Sequence, residues 1–166
     1  MTGLGRAIVT AAAAFASGIL AGASLDQSIK QLPARRTMGA VAFRSYVRAA
    51  DLGPGVVWYS ALGVGAAALT LAASLAAVFG LREPRVRLPA IAAGALAILH
   101  TLTTTRAAPI YLGLRSELPA TGALEATFTR FARWQAARAA LQTMTFVALL
   151  WLLAQTIAVG LAILSA

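Results

Sequence analysis

Residues 1–25, MTGLGRAIVTAAAAFASGILAGASL, decide how many helices this chain has to offer a membrane. One arginine, an apolar stretch and small residues are also the parts of a secretory signal peptide. The apolar run, however, lasts about 19 residues, long for a signal core and right for a bilayer crossing. It then continues into a polar tail, DQSIKQLPARR, that reads as the end of a helix rather than a cleavage site. The segment is therefore expected to be the first of four spans.

Working outward, the first span covers about 7–31 and should stop at Pro33. The stretch TMGAVAFRSYVRAADLGPG follows, with Arg44, Arg48 and Asp51 at helical spacing, and reads as an amphipathic helix leading into a second span at about 55–79. GLREPRVRLP is an arginine-bearing turn closed by Pro84 and Pro89. The third span is about 89–111, GLRSELPATG is a second short loop, and a long helix from 121 to 164 supplies the fourth span after an extended amphipathic start. The expectation is a single all-α domain, 1–166: an integral membrane antiparallel four-helix bundle. Gly18 and Gly22 form a small-xxx-small pair, and Gly63, Gly65, Ala67 and Ala68 give the second span a smooth face.

Composition agrees. The 166 residues are 60% hydrophobic and 11% charged, with mean hydropathy +0.79. Soluble domains carry about 25% charged residues. There is no cysteine, which removes disulfides, thiolate metal sites and thiol nucleophiles. Net charge is +9, and Lys30 is the one lysine among fourteen basic residues. The arginines flank or interrupt apolar helices instead of coating a soluble face, so nucleic acid is not the expected partner; loops and lipid headgroups are. Counting Lys and Arg places the face bearing segments 32–50 and 112–138 in the cytoplasm, whereas discounting arginines that line a cavity favours cytoplasmic termini.

Polar residues gather toward one end: Asp26, Lys30, Arg44, Arg48, Asp51, Arg106, Arg115, Arg130, Arg133, Trp134 and Arg138. His100, the only histidine, lies just past the middle of its span on the same side. Ionisable groups inside spans cost roughly 2.5–3.5 kcal/mol each on insertion scales, so they normally face the bundle interior. His100 reads equally as a site residue or as a structural imidazole held by Thr103 and Thr104 one turn on. Without a second histidine or a cysteine, it makes a poor metal ligand. Asp26 and Lys30 form either an ordinary i,i+4 surface pair or, if buried, a base with its counter-charge. On the fourth helix, Phe131, Gln135, Arg138, Gln142 and Thr145 share one face, with Arg130 and Trp134 beside it.

GILAGASLDQSIKQLPA (18–34) resembles the opening of a family of small four-helix membrane proteins, long known only as a domain of unknown function, many of whose members are described as anthrone-oxygenase-like. RFARWQAARAALQTMTFVALLWLLA (130–154) resembles that family's last helix, where an Arg-x-x-Trp-x-x-x-Arg pattern precedes an apolar run. Here RWQAAR (133–138) keeps the core, while Gln135 and Ala136 stand where His or Asn is common. The resemblance implies a cell-membrane enzyme that oxidises a lipophilic polycyclic aromatic, polyketide-type substrate with O2 and no bound cofactor. Such chemistry needs a base, cations for the substrate anion, and an apolar pocket. His100 and Asp26 are the candidate bases, and Arg138 the catalytic cation. Arg48, Arg106, Trp134, Gln135, Gln142, Tyr59, Phe131, Asp51 and Thr104 are the candidate substrate contacts. The competing expectations are a binding or accessory membrane subunit and a small amphiphile transporter, the latter working as a homo-oligomer.

Overall fold

The computed structural model describes residues 2–80, 83–115 and 121–164, and the described residues are almost entirely helical. Helix α1 (Gly3–Asp26) starts behind Thr2, whose hydroxyl accepts the Gly5 N–H at 3.2 Å and occupies one of the free donors of the first turn. It runs into a π-helical turn (Gln27–Gln31) and directly on into α2 (Leu32–Met38). Pro33 therefore does not stop the first span, as its sequence suggests it should. It falls at the start of α2, where a missing N–H costs little because the wide turn before it has already broken the regular ladder. The stop comes at Gly39, whose φ of +80° suits glycine and turns the chain into α3 (Ala40–Ala49).

Helices α4 (Gly55–Gly80), α5 (Pro84–Leu112) and α6 (Thr121–Leu164) follow, with a 3₁₀ turn (Gly113–Arg115) after α5. The third span begins earlier than expected. Pro84 opens α5, and Pro89 sits inside it rather than closing the turn. Of the two loops expected from sequence, Leu81–Arg82 and Ser116–Ala120 lie outside the described residues. Four stretches, Gly3–Met38, Gly55–Gly80, Pro84–Arg115 and Gly122–Ala162, are long and apolar enough to cross a membrane.

Each long helix touches two others: α1 and α5 both pack on α4 and α6. Near the start of α1, Arg6 Nη1 donates to Gly80 O at the end of α4; further along, Ser17 and Thr70 share a buried hydroxyl hydrogen bond at 3.3 Å. Against α6, Gly18 lies beside the Phe146 ring, and Gln135 Nε2 donates to Ser24 O at 3.2 Å.

Two cores result. One is built from small side chains that let backbones approach, among them Ala13, Ala73, Ala90, Ala93 and Ala148, sealed by Leu149 and Leu152. The other caps the opposite end, where Leu32, Phe43, Val47, Leu114, Leu124 and Phe128 meet. Arginines stitch this cap together. Arg44 Nε donates to Leu114 O at 3.0 Å, and Arg115 Nη2 donates to Leu52 O at 2.6 Å. Arg35 pairs with Glu125 at 3.3 Å and lies over the Phe128 ring. Between the two cores the helices do not close.

Candidate functional site

The space left between the cores is a cavity of about 580 Å³, within the range of small-molecule sites. Its walls come from α1 (Leu20), the π turn (Gln27), the α3–α4 connection (Asp51, Leu52), α4 (Val56 to Leu71), α5 (His100 to Leu112) and α6 (Phe131, Arg138, Gln142). Most of the wall is apolar, and the polar side chains fall into two groups.

The first group is closed on itself. Tyr111 donates its hydroxyl to Asp51 Oδ2 at 2.5 Å, and Gln27 Nε2 lies 3.2 Å from the same oxygen and 3.3 Å from the Tyr111 hydroxyl. Helical phase explains how Gln27 reaches them. α1 stays regular as far as Asp26, so Gln27 returns to the cavity face of Leu20 while its acidic neighbour points away. Tyr111 also stacks on Phe131, with ring centroids 4.1 Å apart and planes inclined by 19°.

The second group is open. His100 is 4% exposed and Gln142 3% exposed, yet His100 Nδ1 and Gln142 Oε1 have no hydrogen-bond partner, and neither has Arg138 Nε. Buried polar atoms are nearly always satisfied, so three unpartnered ones on residues lining one cavity mark a place for something polar. Thr103 and Thr104 do not serve the imidazole, as its sequence neighbours suggest. Both hydroxyls donate to the carbonyl of His100, at 2.7 and 2.9 Å, the usual way for threonine to satisfy itself in an apolar helix. Arg138 is the one guanidinium lining the cavity among the described residues, and it lies within electrostatic reach of His100, Tyr59 and Tyr111.

Of the residues singled out from sequence, His100, Arg138, Gln142, Tyr59, Phe131, Asp51 and Thr104 line this cavity. Asp26 does not. It is 40% exposed, paired with Lys30 at 2.5 Å and bonded by Gln31 at 2.7 Å, the surface arrangement its i,i+4 spacing allows. Arg48 and Arg106 are exposed, and Trp134 is 38% exposed on the outer side of α6. Gln135 is fully buried but faces α1, donating to Ser24 O. Tyr111 and Gln27 were missed. Helical geometry carried a signal for both: Tyr111 lies eleven residues after His100 and Gln27 seven after Leu20, spacings that return to nearly the same face.

Among the described residues no group of three His, Asp or Glu side chains is placed to hold a metal ion. No protein-family description, curated protein or solved structure matches the chain. The likeness of residues 18–34 and 130–154 to anthrone-oxygenase-like proteins thus rests on those residues alone.

Proposed function

We propose that the chain is an integral membrane enzyme whose four long helices run antiparallel, and that its cavity takes a lipophilic, flat aromatic substrate for acid–base-initiated oxidation by O2. The contacts between α1 and α4 support the antiparallel arrangement, because Arg6 meets Gly80 while Ser17 meets Thr70. Those between α1 and α6 run the same way, with Gly18 beside Phe146 and Ser24 beside Gln135. α3, which buries Phe43, Arg44 and Val47, then caps one end as the amphipathic connection.

The observation that carries the functional reading is the unpartnered trio of His100 Nδ1, Gln142 Oε1 and Arg138 Nε, brought to one mostly apolar cavity by α5 and α6. A ring-hydroxylated anthrone, with its ketone-activated benzylic C–H, supplies a proton for His100, an acceptor for Arg138 and a hydroxyl donor for Gln142 Oε1. His100 takes the proton from carbon, and Arg138 stabilises the charge that moves onto the ketone oxygen. The electron-rich anion passes one electron to O2, and the two radicals combine to form a C–O bond. Breaking the O–O bond with loss of water leaves a second carbonyl. The balance is one CH2 and one O2 to one C=O and one H2O, with no cofactor. Gln142 positions the substrate, and the Tyr111–Phe131 stack offers it an aromatic edge.

The test uses purified protein in lipid nanodiscs with an anthrone, following O2 uptake and quinone absorbance together. Turnover that is lost on His100→Ala supports the reading; full activity in that variant overturns it. A non-catalytic binding role is the second reading, favoured by the self-satisfied Asp51–Tyr111–Gln27 group, which leaves His100 without an acid partner. Retention of the anthrone without turnover would select it.

A further inference from the structure

Helices α4 and α5 touch at Gly94, where a side-chain carbon would stand 3.4 Å from both Cβ and Oγ of Ser74. From there toward the polar end they part. On α4 the residues Ser60, Val64, Ala68 and Leu71, spaced four, four and three apart, line the cavity and are also exposed on the outside of the bundle. Val64 is 72% exposed. Facing them on α5, Thr101 and Leu112 do the same. Residues that belong at once to an inner wall and to an outer surface mark an opening. The eleven residue steps from Ser60 to Leu71 along the helix make it about 16 Å long. Its α4 rim is mostly aliphatic, and it lies within two of the stretches long enough to cross a membrane. The end of the cavity is closed differently, by the Asp51–Tyr111–Gln27 group and by Leu52, whose carbonyl is tied to Arg115.

We propose that the cavity is filled sideways: its ligand is a membrane-dissolved, flat, single-headed amphiphile that leaves the hydrocarbon through the slot between α4 and α5, polar group leading toward Arg138 and Gln142. A slot elongated between two helices selects for flat or slender molecules, and its aliphatic rim for those already partitioned into lipid. Val64 is the gate residue, since its side chain stands on the rim and makes no part of the polar wall. This inference rests on the cavity being a ligand site, but not on any reaction taking place there.

The probe is 6-azido-2-naphthol, a flat, lipid-soluble phenol that attaches to neighbouring side chains under ultraviolet light. It is mixed as a solution in phosphatidylcholine vesicles with vesicles holding the full chain, illuminated at fixed times after mixing, and its attachment sites are mapped by mass spectrometry. The expected result is attachment at Tyr59 and Phe131 in the unaltered chain, slowed at least tenfold by Val64→Trp. Leu75→Trp, an exposed position on α4 beyond the closure at Ser74, is expected to leave the time course unchanged. Should Val64→Trp fail to fold, Val64→Ala widens the slot and is expected to hasten attachment. Equal time courses in the unaltered chain and the folded Val64 variants would overturn sideways entry. Absence of attachment at both cavity residues in the unaltered chain would overturn the ligand site along with it. Attachment as expected, with no turnover of an anthrone, would leave sideways entry standing and remove only the catalytic reading.

Discussion

Tyr111 and Asp51, sixty residues apart in the chain, are joined by a hydroxyl-to-carboxyl hydrogen bond of 2.5 Å, and Gln27 donates to both of them. This triangle ties the π turn after α1, the α3–α4 connection and the end of α5 to one another at the closed end of the cavity.

Tyr111→Phe removes one donor and keeps the ring stack on Phe131, so it reports the hydrogen bond alone. The expected loss is about 1–3 kcal/mol in unfolding, the range for bonds to groups of this kind. Asp51→Leu should cost more than Tyr111→Phe, because it leaves two donors facing an apolar side chain. The double variant should cost less than the sum of the two. Denaturant titration in detergent micelles measures all three. Strict additivity would show that the pair is not coupled.

Asp26 and His100 separate as sharply. In the anthrone assay, His100→Ala is expected to lower kcat by about 10²–10⁴-fold, the usual yield of a positioned base. Asp26→Asn is expected to leave both kcat and KM unchanged, since the carboxylate is spent on Lys30 and Gln31 outside the cavity. A loss on Asp26→Asn that matched the loss on His100→Ala would mean that the first helix turns its acid inward in the working protein.

That distinction shows where sequence stops being sufficient. The bounds of α4 and α6 follow from apolar runs bracketed by glycine, proline and loop residues, and the expected 55–79 and 121–164 fall within one residue of Gly55–Gly80 and on Thr121–Leu164. Length and hydropathy are local properties. Which of two acids faces inward is not local. Asp26 and Asp51 each sit near a helix end among basic residues, and only the way the helices pack sets one against Lys30 and Gln31 at the surface and the other against Gln27 and Tyr111. The same holds for the arginines. Arg48, Arg106 and Arg138 all lie near the polar end, but helical phase puts Arg138 alone on the face with Phe131 and Gln142.

Arg138→Met keeps length and apolar contact while removing the charge. It is expected to weaken binding of a lipid-dissolved aromatic carboxylate such as 9-anthracenecarboxylate by roughly 30-fold, corresponding to about 2 kcal/mol for losing one side of a charge-assisted contact. Binding of neutral anthracene should change by less than twofold. Equilibrium fluorescence in nanodiscs gives both numbers, and equal weakening of the two ligands would assign Arg138 to packing instead of charge recognition.

The glycine pair of α1 supplies the remaining contrast. By sequence Gly18 and Gly22 are equivalent members of one small-xxx-small pair, but their surroundings differ. A Cβ at Gly18 would meet the Phe146 ring at 3.0 Å, tighter than ordinary contact, whereas a Cβ at Gly22 would meet nothing within 4 Å. Gly22→Ala therefore brings the helix-propensity gain of about 0.5–1 kcal/mol without a clash. Gly18→Ala must first push the Phe146 ring aside, so its gain is cancelled or reversed. Thermal unfolding in micelles should place the Gly22 variant above the unaltered chain and the Gly18 variant at or below it. If Gly22→Ala instead destabilises the protein and lowers its mass in light scattering, that face of α1 is covered by a second copy, and the pair acts between chains rather than within one.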